Sequence, residues 1–141
     1  MPHLQLPVPV TLAITLAITL AIALAIAIVM RLAVLHNNGA QALSEALKIN
    51  STLTTLDLSN NRIESNGAHA LSEALKTNST LTFFNLGWNS IGDNGAQALS
   101  EALKINSTLT ALRLYNNPVG VNGAQALSEV LKTNLTVTII K

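Results

Sequence analysis

The sequence predicts an α/β solenoid of stacked repeats, with parallel strands on its concave side, helices on its convex side and an apolar helix ahead of them. Three observations predict it. The text "NGAQALSEALKINSTLTTLDLSNNRI" that begins at Asn38 returns, with small changes, from Asn66, Asn94 and Asn122, a period of 28 residues without insertion. Within each copy a helical spacing of apolar residues gives way to a two-residue alternation. Upstream, residues 10 to 30 form a run of 21 positions without a charge, an amide or a histidine. A constant period with leucines in fixed places marks supersecondary units that must stack to bury a core.

The leader, residues 1 to 36, comes first. Its run "VTLAITLAITLAIALAIAIVM", Val10 to Met30, meets the length that a membrane helix needs, about 20 apolar residues. The threonines at 11, 15 and 19 are tolerated, because a helical Thr can bond back to a backbone carbonyl. A cleaved signal peptide fits less well, since "MPHLQLPVP" carries no Lys or Arg. The expectation is a membrane anchor over residues 10 to 30. Arg31, on the C-terminal side, then directs the remaining chain to the cytoplasm by the positive-inside rule. Two other readings stay open: a low-complexity extension, or an apolar cap packed on the repeats, either of which leaves the chain soluble in the cytoplasm.

Residues 37 to 141 form the solenoid, with repeats over 38–65, 66–93, 94–121 and a partial one over 122–141. In the first, Asn38 offers a side-chain acceptor to the opening turn of a helix. Ala40, Leu43 and Leu47 then make one apolar stripe, and Gln41, Ser44, Glu45 and Lys48 are expected to face away from it. "INST" ends the helix, because Asn, Ser and Thr favour local turn bonds. In "LTTLDLSNN" Leu56 and Leu58 alternate with polar residues as a strand requires, and Ile63 covers the return. Helix and strand alternating through short links imply a parallel sheet with helices on one side. No single unit can bury enough to stand alone, so the stacking is the fold.

Composition excludes several functions. Eight basic residues against seven acidic ones, with no run of either, give no field for nucleic acid. The absence of cysteine removes disulfides, thiolate metal sites and thiol nucleophiles. His3, His36 and His69 are scattered, and His69 replaces an exposed helical Gln. Glu45, Glu73, Glu101 and Glu129 each precede a Lys by three residues, the spacing of a helix surface pair. No phosphate-binding glycine loop, metal-ligand spacing or nucleophile elbow occurs. No catalytic, metal or cofactor role is expected. "NST" at Asn50, Asn78 and Asn106 and "NLT" at Asn134 satisfy the glycosylation pattern, but they recur because the turn recurs.

"LTTLDLSNNRI", "LTFFNLGWNSI" and "LTALRLYNNPV" carry leucine or a substitute at the first, fourth and sixth places and Asn at the ninth. With the period and the "NGA..AL.EALK" helix, the chain resembles the leucine-rich-repeat proteins of the ribonuclease-inhibitor type, a class shared with NACHT-type sensors and the Ran GTPase-activating protein. The resemblance covers about residues 38 to 141. It implies that Asn61, Asn89 and Asn117 form a ladder of hydrogen bonds to neighbouring turns, and that the concave sheet face takes partners. The preceding unit would place Ala25, Ile28, Met30 and Ala33 at the strand and ladder positions, inside or beside the apolar run, so no proper first repeat is expected there and the N-terminal end is expected to be uncapped or membrane-linked. At the other end "LTVTIIK" enters a fourth strand, with Ile140 where a strand leucine belongs, as in a fragment of a longer array.

Comparing the copies separates fixed positions from free ones. The helices are nearly verbatim, whereas the outward strand positions vary. Trp88, Tyr115, Arg113 and Phe83 are the expected partner-binding residues, with Asp57 and Asn85 beside them, because Trp, Tyr and Arg dominate interface hot spots. Asp57 and Arg113 stand two strands apart, too far for a direct ion pair. The expected function is a non-catalytic protein-interaction module, membrane-anchored through the leader. The alternative is a regulatory domain or fragment of a GTPase-activating or immune-sensor-type repeat protein.

Overall fold

A computed structural model describes residues 36 to 141. Four helix-strand units follow one another: α1 (Asn37–Ile49), β1 (Thr55–Asp57), α2 (Ser65–Leu75), β2 (Phe83–Asn85), α3 (Asp93–Leu103), β3 (Ala111–Arg113), α4 (Val121–Val130) and β4 (Thr138–Ile140). The strands form one parallel sheet in the order β1-β2-β3-β4, and each helix packs on the next. The expected leader span lies outside the described residues. Among the described residues, no helix is long and apolar enough to cross a membrane.

The core lies between helices and sheet. Each helix contributes its stripe, such as Ala40, Leu43 and Leu47, and each strand its central residue, Leu56, Phe84 or Leu112, all buried. The first three strands hold the 28-residue register, with Leu56 opposite Phe84 and Phe84 opposite Leu112. The last departs from it by one residue, since Leu112 pairs with Ile139. Ile139 therefore packs against the core and Ile140 turns outward, 43% exposed, reversing the expected assignment of Ile140 to the strand-leucine place.

Two further expectations need correction. Ser44 does not face solvent but is fully buried, as are Ser72 and Ser100. Its hydroxyl donates to the Gln41 carbonyl within the same helix, so a small polar side chain enters a helix interface without an orphaned donor. Nor does Asn38 cap its own helix: α1 has His36 at its N-cap and no side-chain cap bond. The cap is supplied between repeats. Asn37 Oδ1 accepts from the Glu64 and Gly67 amides at the start of α2, both at 3.0 Å. Asp93 Oδ1 does the same for Gly120 and Gly123 at the start of α4, at 2.7 and 3.0 Å. Each acceptor sits at the first residue of one helix and serves the unpaired amides of the next, where a negative side chain is also favoured.

That proximity explains the glycine of the repeated "NGA". A Cβ on Gly67 would stand 2.7 Å from Asn37 Oδ1, 2.9 Å from Ile63 and 3.1 Å from Ala40. Gly95 and Gly123 meet equivalent neighbours, so glycine here permits close helix packing and is not needed for an unusual backbone angle.

Two ladders of asparagine side chains tie the units together. Asn89 Nδ2 donates to the Leu58 and Leu86 carbonyls at 3.0 Å while its Oδ1 accepts from the Ile63 amide. Asn117 repeats this with Leu86, Leu114 and Ile91, and Asn61 donates within its own turn to Leu58. This is the ladder that the repeat pattern implies. The second runs through the asparagines of the "NST" turns. Asn78 Nδ2 reaches back to the Leu47 and Asn50 carbonyls, Asn106 to Leu75 and Asn78, and Asn134 to Leu103 and Asn106. Their Oδ1 atoms meanwhile accept from the two amides that follow the turn, as at Thr80 and Leu81. At Asn78, Asn106 and Asn134 the nitrogen that a glycan would occupy is therefore already committed, and sugar there is incompatible with this packing.

Candidate functional site

The candidate site is the sheet face opposite the helices. Because strand side chains alternate, burying Leu56, Phe84 and Leu112 against the helices turns their neighbours outward. Strand register makes these neighbours rows across the sheet: Thr55, Phe83 and Ala111, then Asp57, Asn85 and Arg113. Ser59, Gly87 and Tyr115 follow at the same spacing, then Asn60, Trp88 and Asn116. Strand register thus brings Phe83, Asp57, Asn85 and Arg113 together, with Tyr115 lying against Asn85 and Gly87, while Trp88 stands in the return that follows β2.

They are not equally available. Trp88 is 58% exposed, whereas Asn85 is 4% exposed and works as an organiser. Asn85 Nδ2 donates to Asp57 Oδ2 at 3.2 Å and to the Tyr115 hydroxyl oxygen at 3.3 Å, and its Oδ1 accepts from the Gly87 amide. The Tyr115 ring lies across Gly87, where an added Cβ would stand 2.5 Å from it. Glycine at this place is what lets the ring lie down, a role that its absence of side chain concealed in the sequence. With Asn85 donating to its oxygen, the phenol retains its own proton for an outside acceptor. The Arg113 guanidinium stands 4.9 Å from the centre of the Phe83 ring, a cation-π arrangement that holds it over the sheet. The ion pairs among the described residues are the four expected Glu–Lys pairs of the helices, and Asp57 and Arg113 make no direct one.

Burial pushes the Asp57 carboxyl up, but hydrogen bonds from Ser59 and Asn85 and the Arg113 charge outweigh it and hold the group below its ordinary value. A depressed carboxylate stabilises the fold above its unfolded pKa, about 3.9, and that stabilisation is lost as pH falls through the lower folded value. Asp57→Asn is therefore expected to flatten the acid limb of the stability profile below about pH 4, by a small amount at this exposed position. Thermal melts of both proteins between neutral and strongly acid pH check this, and identical acid limbs would contradict it.

No group of His, Asp and Glu side chains among the described residues could hold a metal ion. The face offers instead an exposed indole, a phenol with a free proton, a positioned guanidinium and a charged carboxylate. Trp, Tyr and Arg are residue types enriched at protein interfaces.

Comparison with known proteins agrees with this geometry. The leucine-rich-repeat family model matches residues 50–72, 77–100 and 106–128. The chain carries leucine-rich repeats and folds as a short solenoid of that class. Among solved structures, actin-binding site 2 of leiomodin-1 superposes with a TM-score of 0.70 at 33% identity, covering 74% of this chain and 61% of that one. This chain thus spans about three fifths of that structure's length. No curated protein matches the sequence.

Proposed function

We propose that the chain is a non-catalytic protein-interaction module that takes its partner on the open sheet face, with Trp88 as the anchor. The observation that carries this reading is the backbone at Trp88. Among the described residues three non-glycine residues have positive φ, one in each strand-to-helix return: Asn60 at 59°, Trp88 at 54° and Asn116 at 56°. Asn suits the left-handed region because its short polar side chain bonds locally, but a bulky residue there costs about 1 to 2 kcal/mol. A Trp left 58% exposed on a left-handed backbone carries local backbone strain, a feature that clusters at functional sites.

The partner this face suits presents an apolar side chain to Trp88, an acceptor to the Tyr115 hydroxyl and a cation near Asp57. The likeness to an actin-binding repeat domain makes actin the first protein to test. The 28-residue helix-strand unit also supports placing the repeats in the ribonuclease-inhibitor-type subclass.

Trp88→Asn separates function from stability. It is expected to raise stability by up to about 1 kcal/mol, since it replaces a disfavoured αL residue by the one found at Asn60 and Asn116. It should weaken partner binding at least about 30-fold, the loss typical of an interface hot spot. The check is urea unfolding alongside binding of monomeric and filamentous actin. Equal binding by the two proteins would remove Trp88 as the anchor. Absence of binding by both would remove actin.

A further inference from the structure

We infer that Arg113 and Tyr115 together receive a carboxylate of the partner, the side chain of an Asp or Glu, an inference that rests on the proposed function and names part of what the partner presents.

Arg113 is held ready for an acceptor. It stands in β3 opposite Asn85, partly buried, with its guanidinium over the Phe83 ring. Lys48, Lys76, Lys104 and Lys132 are each paired with a glutamate on their own helix, whereas Arg113 makes no ion pair and its side chain donates no hydrogen bond to a described residue. Asp57 does not fill that role. Its Oδ1 accepts from the Ser59 amide and its Oδ2 from Asn85, two strands away from Arg113 in the sheet order. A guanidinium offers several N–H donors in a planar fork, and that fork matches a carboxylate through two parallel hydrogen bonds.

The second donor is the Tyr115 hydroxyl. Its oxygen accepts from Asn85 Nδ2 at 3.3 Å, which leaves its proton for another acceptor. Phe83 and Asn85, the side chains that hold the guanidinium and the hydroxyl, are alternate residues of β2, about 7 Å apart along the strand. A carboxylate with a charge-assisted hydrogen bond of about 2.7 to 2.9 Å on each oxygen spans a gap of that order. Asp57 sets a limit on the charge admitted, because its own carboxylate repels a doubly charged phosphate more than a singly charged side chain.

The test uses the full chain as bait for a library of displayed random peptides. Peptides retained by the parent protein and released by Trp88→Asn are ligands of this face. Among them Asp or Glu is expected at one fixed distance from an apolar residue. The affinity of one such peptide is then read from the fluorescence of Trp88, the only Trp in the chain. Arg113→Gln is expected to weaken it at least about tenfold, the effect of a hydrogen bond to a charged group, and Tyr115→Phe about threefold or more. Replacing the peptide's acidic residue by its amide should cost the parent protein the same factor and Arg113→Gln almost nothing, a coupling that a merely structural arginine would not show. Trp88-dependent peptides without an acidic preference would overturn the inference and leave Trp88 as the anchor, as would an acid-to-amide loss that persists in Arg113→Gln. A phosphoserine peptide that binds more tightly than its Glu counterpart would refute it too, by assigning the pair to phosphate. If no peptide depended on Trp88, the proposed use of the face would fail, and the carboxylate site with it.

Discussion

Replacing Asn106 by Ala is expected to destabilise the solenoid by about 3 kcal/mol, read as a fall in the urea midpoint of the full chain. Asn106 is 5% exposed. Its amide nitrogen holds the Leu75 and Asn78 carbonyls at 2.8 and 3.0 Å, and its oxygen holds the Thr108 and Leu109 amides at 3.0 and 2.9 Å. Truncation leaves several buried groups without partners, and an orphaned buried group costs more than an ordinary hydrogen bond gains. Asn106→Asp directs the defect to the contact between repeats, because it keeps the acceptor for Thr108 and Leu109 and sets a carboxylate oxygen, in place of the donors, against the Leu75 and Asn78 carbonyls. A cost of about 2 kcal/mol or more is expected there too, whereas Ser107→Ala, on the exposed neighbour, should stay within about 0.5 kcal/mol. If Asn106→Asp matched the parent protein, the turn asparagines would be local turn formers and nothing more.

Phe84→Ala is expected to cost about 3 to 5 kcal/mol, the range for a fully buried aromatic whose removal leaves a cavity. Phe84 is 0% exposed in β2, between Leu56 and Leu112 in the neighbouring strands. The defect falls on the second of the four units, and repeat arrays are stabilised by nearest-neighbour interfaces, so units on both sides lose support. Phe84→Leu, which installs the residue of the flanking strands, should cost no more than about 1.5 kcal/mol. Chemical denaturation distinguishes the two. Near-equal midpoints would mean that the β2 layer collapses around the gap, leaving Phe84 dispensable to packing.

The fold was legible because its determinants are periodic. Leucines at fixed spacing, an Asn at the ninth place and a constant period all report local geometry that the next copy repeats, and the core follows from them. What stayed hidden lies in relations between copies. Asn37 and Asp93 look like ordinary helix-start residues, yet each serves the following helix, which no single repeat reveals. Ser44 reads as surface because a hydroxyl usually prefers water, and only the partner helix makes it an interface residue. The turn asparagines carried a signal, since they recur in all four copies, but the turn itself seemed sufficient reason for them.

The site was legible as a set of positions and not as an arrangement. Variation among copies picks out the outward places, and among them Trp88 is exposed and the ring of Tyr115 lies across Gly87. The sequence did not separate residues that meet a partner from those that position others. Asn85 shows why: only its placement between Asp57 and Tyr115 makes it the centre of a hydrogen-bonded row. The left-handed backbone at Trp88 was concealed as well, because the equivalent residues are Asn, for which that conformation is ordinary.

Site-directed photocrosslinking tests the central claim most directly. A photoreactive residue would replace Asn116, exposed at the place in the next repeat that corresponds to Trp88, or Gln97, exposed on α3 on the helical side. The sheet-face interaction predicts a discrete protein adduct from position 116 in cells expressing the full chain, its loss on adding Trp88→Asn, and no adduct from position 97. An adduct that forms from position 97, or one from position 116 that survives Trp88→Asn, would contradict it.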